Sequence, residues 1–201
     1  MTILITGGAG YIGSHFAYAL QDAGEKFAVV DNLSTGSRLL APEGAPLLEA
    51  DCGDRARVET FLKQNRVDTV VHFAASAIVP DSMTDPLSYY RNNTVATVAL
   101  LEACVAAKVE RFVFSSTAAT YGSVGAEPVT EEAPLAPVSP YGASKAMCER
   151  ILQDTAAATG LRYVALRYFN VAGADEKGRT GQSMARSTHL VKTACRVALG
   201  L

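Results

Sequence analysis

The 201-residue sequence predicts an α/β fold, a doubly wound parallel sheet flanked by helices. Three observations carry that prediction. Short β-branched runs alternate with longer amphipathic stretches along nearly the whole chain. Runs such as "VVHFAA" (residues 70–75) are apolar on both faces, as parallel strands covered from both sides must be. The first run, "TILIT" (residues 2–6), leads directly into a glycine-rich turn that opens a helix. Strand–helix alternation requires right-handed crossovers and gathers ligand sites at the carboxyl ends of the strands.

The elements follow in order. After "TILIT", residues 10–23 read as a helix stopped at Gly24, a residue that tolerates the left-handed conformation of a helix end. "KFAVVD" (26–31) and "APLLEA" (45–50) are the second and third strands, "RARVETFLKQN" (55–65) is helical, and "VDTVVHFAA" (67–75) is the fourth strand. One long helix is expected over residues 85–107, and "RFVFSS" (111–116) is the fifth strand. Residues 139–159 form a helix stopped at Gly160, "RYVALRYFN" (162–170) is the sixth strand, and a last helix covers 187–199. The connections 32–46, 76–86, 118–138 and 172–186 remain as the loops that carry chemistry. There is no internal repeat and no low-complexity segment.

Composition narrows the function classes. Hydrophobic residues make up 49% of the chain, enough for one full domain. The net charge is −2 with both signs interspersed, which favours neither nucleic acid nor an anionic membrane as partner. Apolar runs are broken well short of a membrane span. Met1 enters a strand at once, without a basic and then apolar leader, so a cytoplasmic location is expected. Cys52, Cys104, Cys148 and Cys195 form no CxxC pair, and His15, His72 and His189 are scattered; reduced thiols and no metal site are expected.

The turn "TGGAGYIG" satisfies G-x-G-x-x-G with Gly8, Gly10 and Gly13, and a wider G-x-x-G-x-x-G with Gly7, Gly10 and Gly13. Such glycines let backbone approach a pyrophosphate, and the helix start offers unpaired N–H groups and partial positive charge. Asp31 ends the second strand eighteen residues after Gly13, where a carboxylate accepts hydrogen bonds from a ribose diol and disfavours a 2′-phosphate. Together these point to a dinucleotide, with NAD favoured over its phosphorylated form.

A second constellation accompanies the first. The fifth strand ends in Ser115, Ser116 and Thr117, and "SPYGASK" begins the next helix. Tyr141 and Lys145 are one turn apart on one face. A free phenol titrates at about 10, so reaching neutrality requires roughly 4 kcal/mol of preference for phenolate. The Lys145 ammonium and a positively charged nicotinamide ring are expected to supply it. Thr117 is placed to share a proton with Tyr141 and a substrate hydroxyl.

"TGGAGYIGSH", "DNLSTG", "DTVVHFAA", "YYRNNT", "FSSTAATYG", "SPYGASK" and "LRYFNVAGAD", in this order, make the chain resemble the extended short-chain dehydrogenase/reductases, and more narrowly the UDP-glucose 4-epimerase family. The resemblance implies a Rossmann-like NAD-binding domain over residues 1–170 and the start of a truncated nucleotide-sugar-binding region over 171–201. It implies interconversion of UDP-glucose and UDP-galactose through a transient 4-keto sugar, with tightly held NAD. Tyr141 would be the base, Lys145 its tuning neighbour and Thr117 the bridging hydroxyl. Gly7, Gly10, Tyr11, Ile12 and Gly13 would meet the pyrophosphate. Asp31, Asn32, Leu33, Ser34, Thr35 and Gly36 would hold the adenosine ribose, with Asp51 and Cys52 at the adenine. Phe73, Ala74, Ala75 and Asn93 would line the cofactor channel, with Phe169 by the nicotinamide. Asn170, and His189 with Leu190 in "STHL", would meet the nucleotide-sugar.

Relatives that expel water carry an Asp-Glu pair after the threonine; here Ala118 and Ala119 follow Thr117 and cannot transfer protons. Relatives also carry a lysine after "HFA", absent from "AASAIVPDS", so weaker NAD retention is expected. A chain that stops at residue 201 is expected to bind NAD and turn over UDP-sugar poorly. A nucleotide-sugar reductase or dehydratase type and a non-catalytic dinucleotide-binding protein are the alternatives. A homodimer through a bundle of the two helices over 85–107 and 139–159 is an expected partner arrangement, against simple burial on the sheet.

Overall fold

The computed structural model describes residues 1–125, 127–183 and 189–200. Six parallel strands form one sheet: β1 (Ile3–Thr6), β2 (Phe27–Asp31), β3 (Leu47–Glu49), β4 (Thr69–His72), β5 (Arg111–Ser115) and β6 (Arg162–Leu166). Their spatial order is β3-β2-β1-β4-β5-β6, so the chain winds outward from β1 in both directions. The reversal between β1 and β4 opens a crevice at the strands' carboxyl ends.

Alternation along each strand sorts residues onto two faces. Leu4, Val70, Phe112 and Phe114 point to one face. There they bury against α2 (Arg55–Gln64), α5 (Ala96–Ala106) and α6 (Pro140–Thr159) through Val58, Leu62, Leu100, Cys104, Cys148 and Leu152. Ile3, Ile5 and Val71 point to the other face, under Phe16, Ala17 and Leu20 of α1 (Tyr11–Asp22). On that side β6 leaves Val164 and Leu166 exposed.

The long helix expected over residues 85–107 runs without a break from Pro86 to Ala106 and carries a π-helical turn inside it. Asp85 caps α4 (Pro86–Tyr89), accepting from Ser88 N at 3.2 Å, and a π-helical turn (Tyr90–Val95) precedes α5. The turn holds the Asn93 side chain inside the fold. Its amide donates to Ser76 O and Ser144 Oγ, both at 3.0 Å, and accepts from Ser76 N at 2.8 Å. The stretch 76–86 expected as loop contains α3 (Val79–Thr84), fixed in place by the Tyr89 hydroxyl on Ile78. The last helix is α7 (Leu190–Ala198); residues 187 and 188, expected to begin it, lie outside the described residues.

His72 ties three elements together. Its Nδ1 pairs with Thr6 Oγ1 of β1 at 2.6 Å and its Nε2 with Thr97 Oγ1 of α5 at 3.0 Å. Burial pushes its pKa down from 6.5 to about 3. The ring therefore stays neutral in the fold, while the unfolded chain takes up a proton near the ordinary value. This contribution to stability is complete above pH 6.5 and is lost as pH falls towards 3. We expect the urea midpoint to fall between pH 6.5 and 4.5, and His72→Asn, which cannot take up that proton, to flatten the slope.

Candidate active site

The glycine turn is built from close backbone approaches. Gly7 has φ +69°, and a Cβ on it would lie 2.7 Å from Ala74 N. A Cβ on Gly13 would lie 2.1 Å from Gly7 O, so α1 starts as close to β1 as backbone allows. Gly10 is the N-cap and offers no side-chain acceptor, leaving the first amides of α1 without intrahelical partners. Gly8 packs against Val29 instead. Gly7, Gly10 and Gly13 are thus the glycines that face the crevice, and the wider spacing is the one the fold uses.

The crevice encloses about 600 Å³. Gly7, Gly10, Tyr11, Ile12, Gly13, Asp31, Asn32, Ser34, Thr35, Asp51 and Cys52 line one half. Phe73, Ala74, Ala75, Thr117, Tyr141, Phe169, Asn170, His189 and Leu190 line the other. Leu33, Gly36, Asn93 and Lys145 fall outside that lining, and of these Asn93 and Lys145 are buried. Asn93, expected along the channel, is consumed by Ser76 and Ser144. Leu33 (φ +56°) donates its N–H to Asp31 Oδ1 at 2.8 Å, and a Cβ on Gly36 would press on Ala9 O. Asp31 Oδ2 accepts from Ala9 N at 2.9 Å, so this carboxylate fixes the glycine turn while remaining at the crevice wall. Asp51 accepts from Gly53 N and Asn32 Nδ2, and burial raises the Cys52 thiol to about 12.

Local sequence explains how Tyr141 meets Thr117. Ser139 caps α6 by accepting from Gly142 N at 3.2 Å, and Pro140 starts it. A Cβ on Gly142 would lie 2.5 Å from Ala119 O, so this glycine lets α6 lie against the turn that follows Thr117. This brings Thr117 and Tyr141 to line the same crevice, where the Thr117 hydroxyl acts to lower the phenol's pKa.

The electrostatics differ from the expectation of an acidic phenol. The Tyr141 pKa is raised, because burial outweighs the Thr117 hydrogen bond, and Tyr168 adds to the rise. Lys145 is turned away from the task expected of it. Its ammonium donates to Ser115 O at 2.8 Å and lies 4.8 Å from the Phe114 ring centroid. Burial brings Lys145 down to about 8, so desolvation disfavours its charge as well.

Several groups escaped the sequence reading. Tyr168 lines the crevice and its hydroxyl bonds Ser115 Oγ. Asn92 and residues 77–80 complete the rim. Behind them, Glu149 pairs with Arg167 at 2.6 Å. Its one signal was register, for Glu149 lies a turn beyond Lys145; a charge in mid-helix reads more readily as a solvated face.

Residues 173–180 cross back over α1. Tyr11 OH donates to Gly173 O at 2.7 Å, and Ser14 Oγ pairs with Thr180 Oγ1 at 2.5 Å. Arg179 bridges Asp175 and Asp22 over the Tyr18 ring, and Lys177 also reaches Asp22. Among the described residues no helix is long and apolar enough to cross a membrane, and no cluster of acidic, His or Cys residues could hold a metal.

A family model described as "NAD dependent epimerase/dehydratase family" matches residues 3–199. The chain belongs to that family. Among its epimerase relatives, the UDP-glucose 4-epimerase of Azospirillum brasilense is 52% identical over 198 residues, covering 98% of this chain and 57% of that protein. The crystal structure of the Brucella ovis UDP-glucose 4-epimerase in complex with NAD superimposes with a TM-score of 0.95 at 43% identity, covering 99% of this chain and 61% of that one. The Thermus thermophilus UDP-glucose 4-epimerase complex with NAD gives 0.88 at 39% identity, covering all of this chain and 64% of that one. The chain thus spans about three fifths of the length of these epimerases.

The Asp22 carboxyl is held at about 2, below its ordinary 3.8, first by Arg179 and then by Lys177. A lowered carboxylate holds its clamp above the ordinary value and loses it as pH falls through the lowered one. We expect hydrogen-exchange protection of residues 173–180 to be intact above pH 4 and to fade towards pH 2. Arg179→Met should remove it at neutral pH.

Proposed function

We propose that this chain is the cofactor-holding part of a UDP-sugar 4-epimerase that interconverts UDP-glucose and UDP-galactose with NAD in the crevice. The single observation that carries the reading is that the Thr117 and Tyr141 hydroxyls line the same crevice as the glycine turn and Asp31.

The residues fit the cofactor. Gly7 and Gly13 leave no room for side chains where a pyrophosphate would approach, and unpaired amides of α1 face that place. Asp31 keeps lone pairs for a ribose diol and would repel a 2′-phosphate. Asn32, Ser34 and Thr35 would border the same ribose, Asp51 and Cys52 the adenine, and Phe73, Ala74, Ala75 and Phe169 the nicotinamide half. When bound, NAD supplies reversible two-electron oxidation at C4 of the sugar.

The chain's own residues manage the protons. Tyr141 takes the proton of the sugar 4-hydroxyl and returns it, with Thr117 bridging phenol and hydroxyl. Thr117 already favours the phenolate; positive charge arriving with the cofactor, and Lys145 drawn from Ser115 O towards the ribose, supply the remainder. Ala118 and Ala119 offer no group for expelling water, which separates this reading from a dehydratase. Asn170, His189 and Leu190 border the sugar nucleotide, and residues 171–201 begin its binding region. Exposed Leu87, Val95, Val98 and Met147 on α4, the π turn, α5 and α6 support a homodimer through these helices. Free Cys52, Cys104, Cys148 and Cys195 suit a cytoplasmic setting.

Two measurements test the proposal. The protein is incubated with UDP-glucose and, separately, UDP-galactose, without added cofactor, and the sugars are resolved by chromatography. Both should converge on one mixture; net consumption of added NADH would instead mark a reductase. Tyr141→Phe should lower the rate by about 10³-fold while NAD stays bound, and Asp31→Ala should weaken NAD by at least tenfold.

A further inference from the structure

The pair formed by Glu149 and Arg167 takes no part in the mechanism above, yet it lies against the strand end that carries Thr117. Glu149 is buried on α6, the helix that also bears Tyr141 and Lys145. Its carboxylate accepts from Arg167 Nε at 3.0 Å on both oxygens and from Nη2 at 2.6 Å. Oε1 also accepts the Ser116 hydroxyl proton. The guanidinium has a second hand: Nη1 donates to Tyr121 OH at 3.0 Å and to Glu131 O at 3.1 Å. Arg167 precedes Tyr168, whose carbonyl accepts from Ala118 N at 3.0 Å. Both chain neighbours of Thr117 are therefore anchored to one charge pair, Ser116 through Glu149 and Ala118 through the backbone after Arg167.

We propose that Ser116, Glu149 and Arg167 are positioning residues that hold the Thr117 hydroxyl on the Tyr141 phenol. An orienting hydroxyl works only if its backbone cannot drift, and on its own turn Thr117 is held through its carbonyl, which accepts from Thr120 Oγ1 at 2.8 Å and Thr120 N at 3.2 Å. The Thr117 Oγ1 accepts only a long bond from Ala119 N, at 3.2 Å. A forked guanidinium on a desolvated carboxylate is the stiffest such anchor a protein builds. The pin joins three segments: α6 with Tyr141, the turn after β5 with Thr117, and the segment after β6 with Tyr168.

The turnover part of this inference rests on the epimerase reading; the geometric part does not. Ser116→Ala removes one hydroxyl, changes no charge and barely changes volume, so the chain should fold. The groups facing the Tyr141 side chain are Thr117, Tyr168 after β6 and the Tyr89 ring before the π turn, while Lys145 on the same helix is turned to Ser115 O. None is altered. The experiment follows the tyrosine ring carbons by NMR against pH, with the Tyr141 signal assigned from Tyr141→Phe. With Thr117 released, Tyr141 should titrate at higher pH than in the unsubstituted chain. Arg167→Lys, which keeps charge but not the fork, should move it the same way. In turnover, Ser116→Ala should lower kcat about tenfold with KM for UDP-glucose unchanged within threefold. An unmoved Tyr141 titration overturns the pin, even if the variant melts at a lower temperature. Undiminished turnover by Tyr141→Phe overturns the epimerase reading instead, and the titration then decides the pin by itself.

Discussion

The contact between Gly13 and the Gly7 carbonyl governs the molecule. With a 2.1 Å space where a side chain would stand, α1 begins directly against the end of β1. That placement aims unpaired amides into the crevice between β1 and β4. It also brings Asp31 within reach of Ala9 N, so the carboxylate that would read a ribose first secures the turn that would hold the phosphates. A second close approach, Gly142 on Ala119 O, does the same for the reactive half by seating α6 on the turn after Thr117. Two backbone contacts that exclude side chains thus place the cradle and the hydroxyl pair on one wall.

Burial, more than charge, sets the electrostatics of that wall. Tyr141 and Lys145 are both desolvated, and each is driven towards its neutral form. This agrees with Lys145 resting on Ser115 O, a neutral acceptor from which it can be drawn. Glu149 shows a different solution, a buried carboxylate paired with a forked guanidinium.

The sheet was legible because its signal is local and repeated. All six strands and their order along the chain follow from apolar runs punctuated by Gly24, Gly160 and polar loops. The long helix before β5 was legible, but the π turn inside it was not. Inside that turn Asn93 reaches Ser76 and Ser144, residues distant in sequence, and periodicity carries no trace of such partners. The same contacts explain why Asn93 sits behind the crevice and not along it. α3 was missed for a simpler reason: six residues are too few to show a helical period.

By itself the sequence determined the alternation of elements, the glycine turn, the acid at the end of β2 and the Tyr-Lys pair, because each is written in residues close together. Only the tertiary structure decided which way the Lys145 ammonium turns, and that Glu149 and Arg167 reach both chain neighbours of Thr117. Those outcomes depend on burial and on distances between segments that meet only when α6 packs across β5 and β6. Desolvation arises from that packing, and no spacing along the chain encodes it.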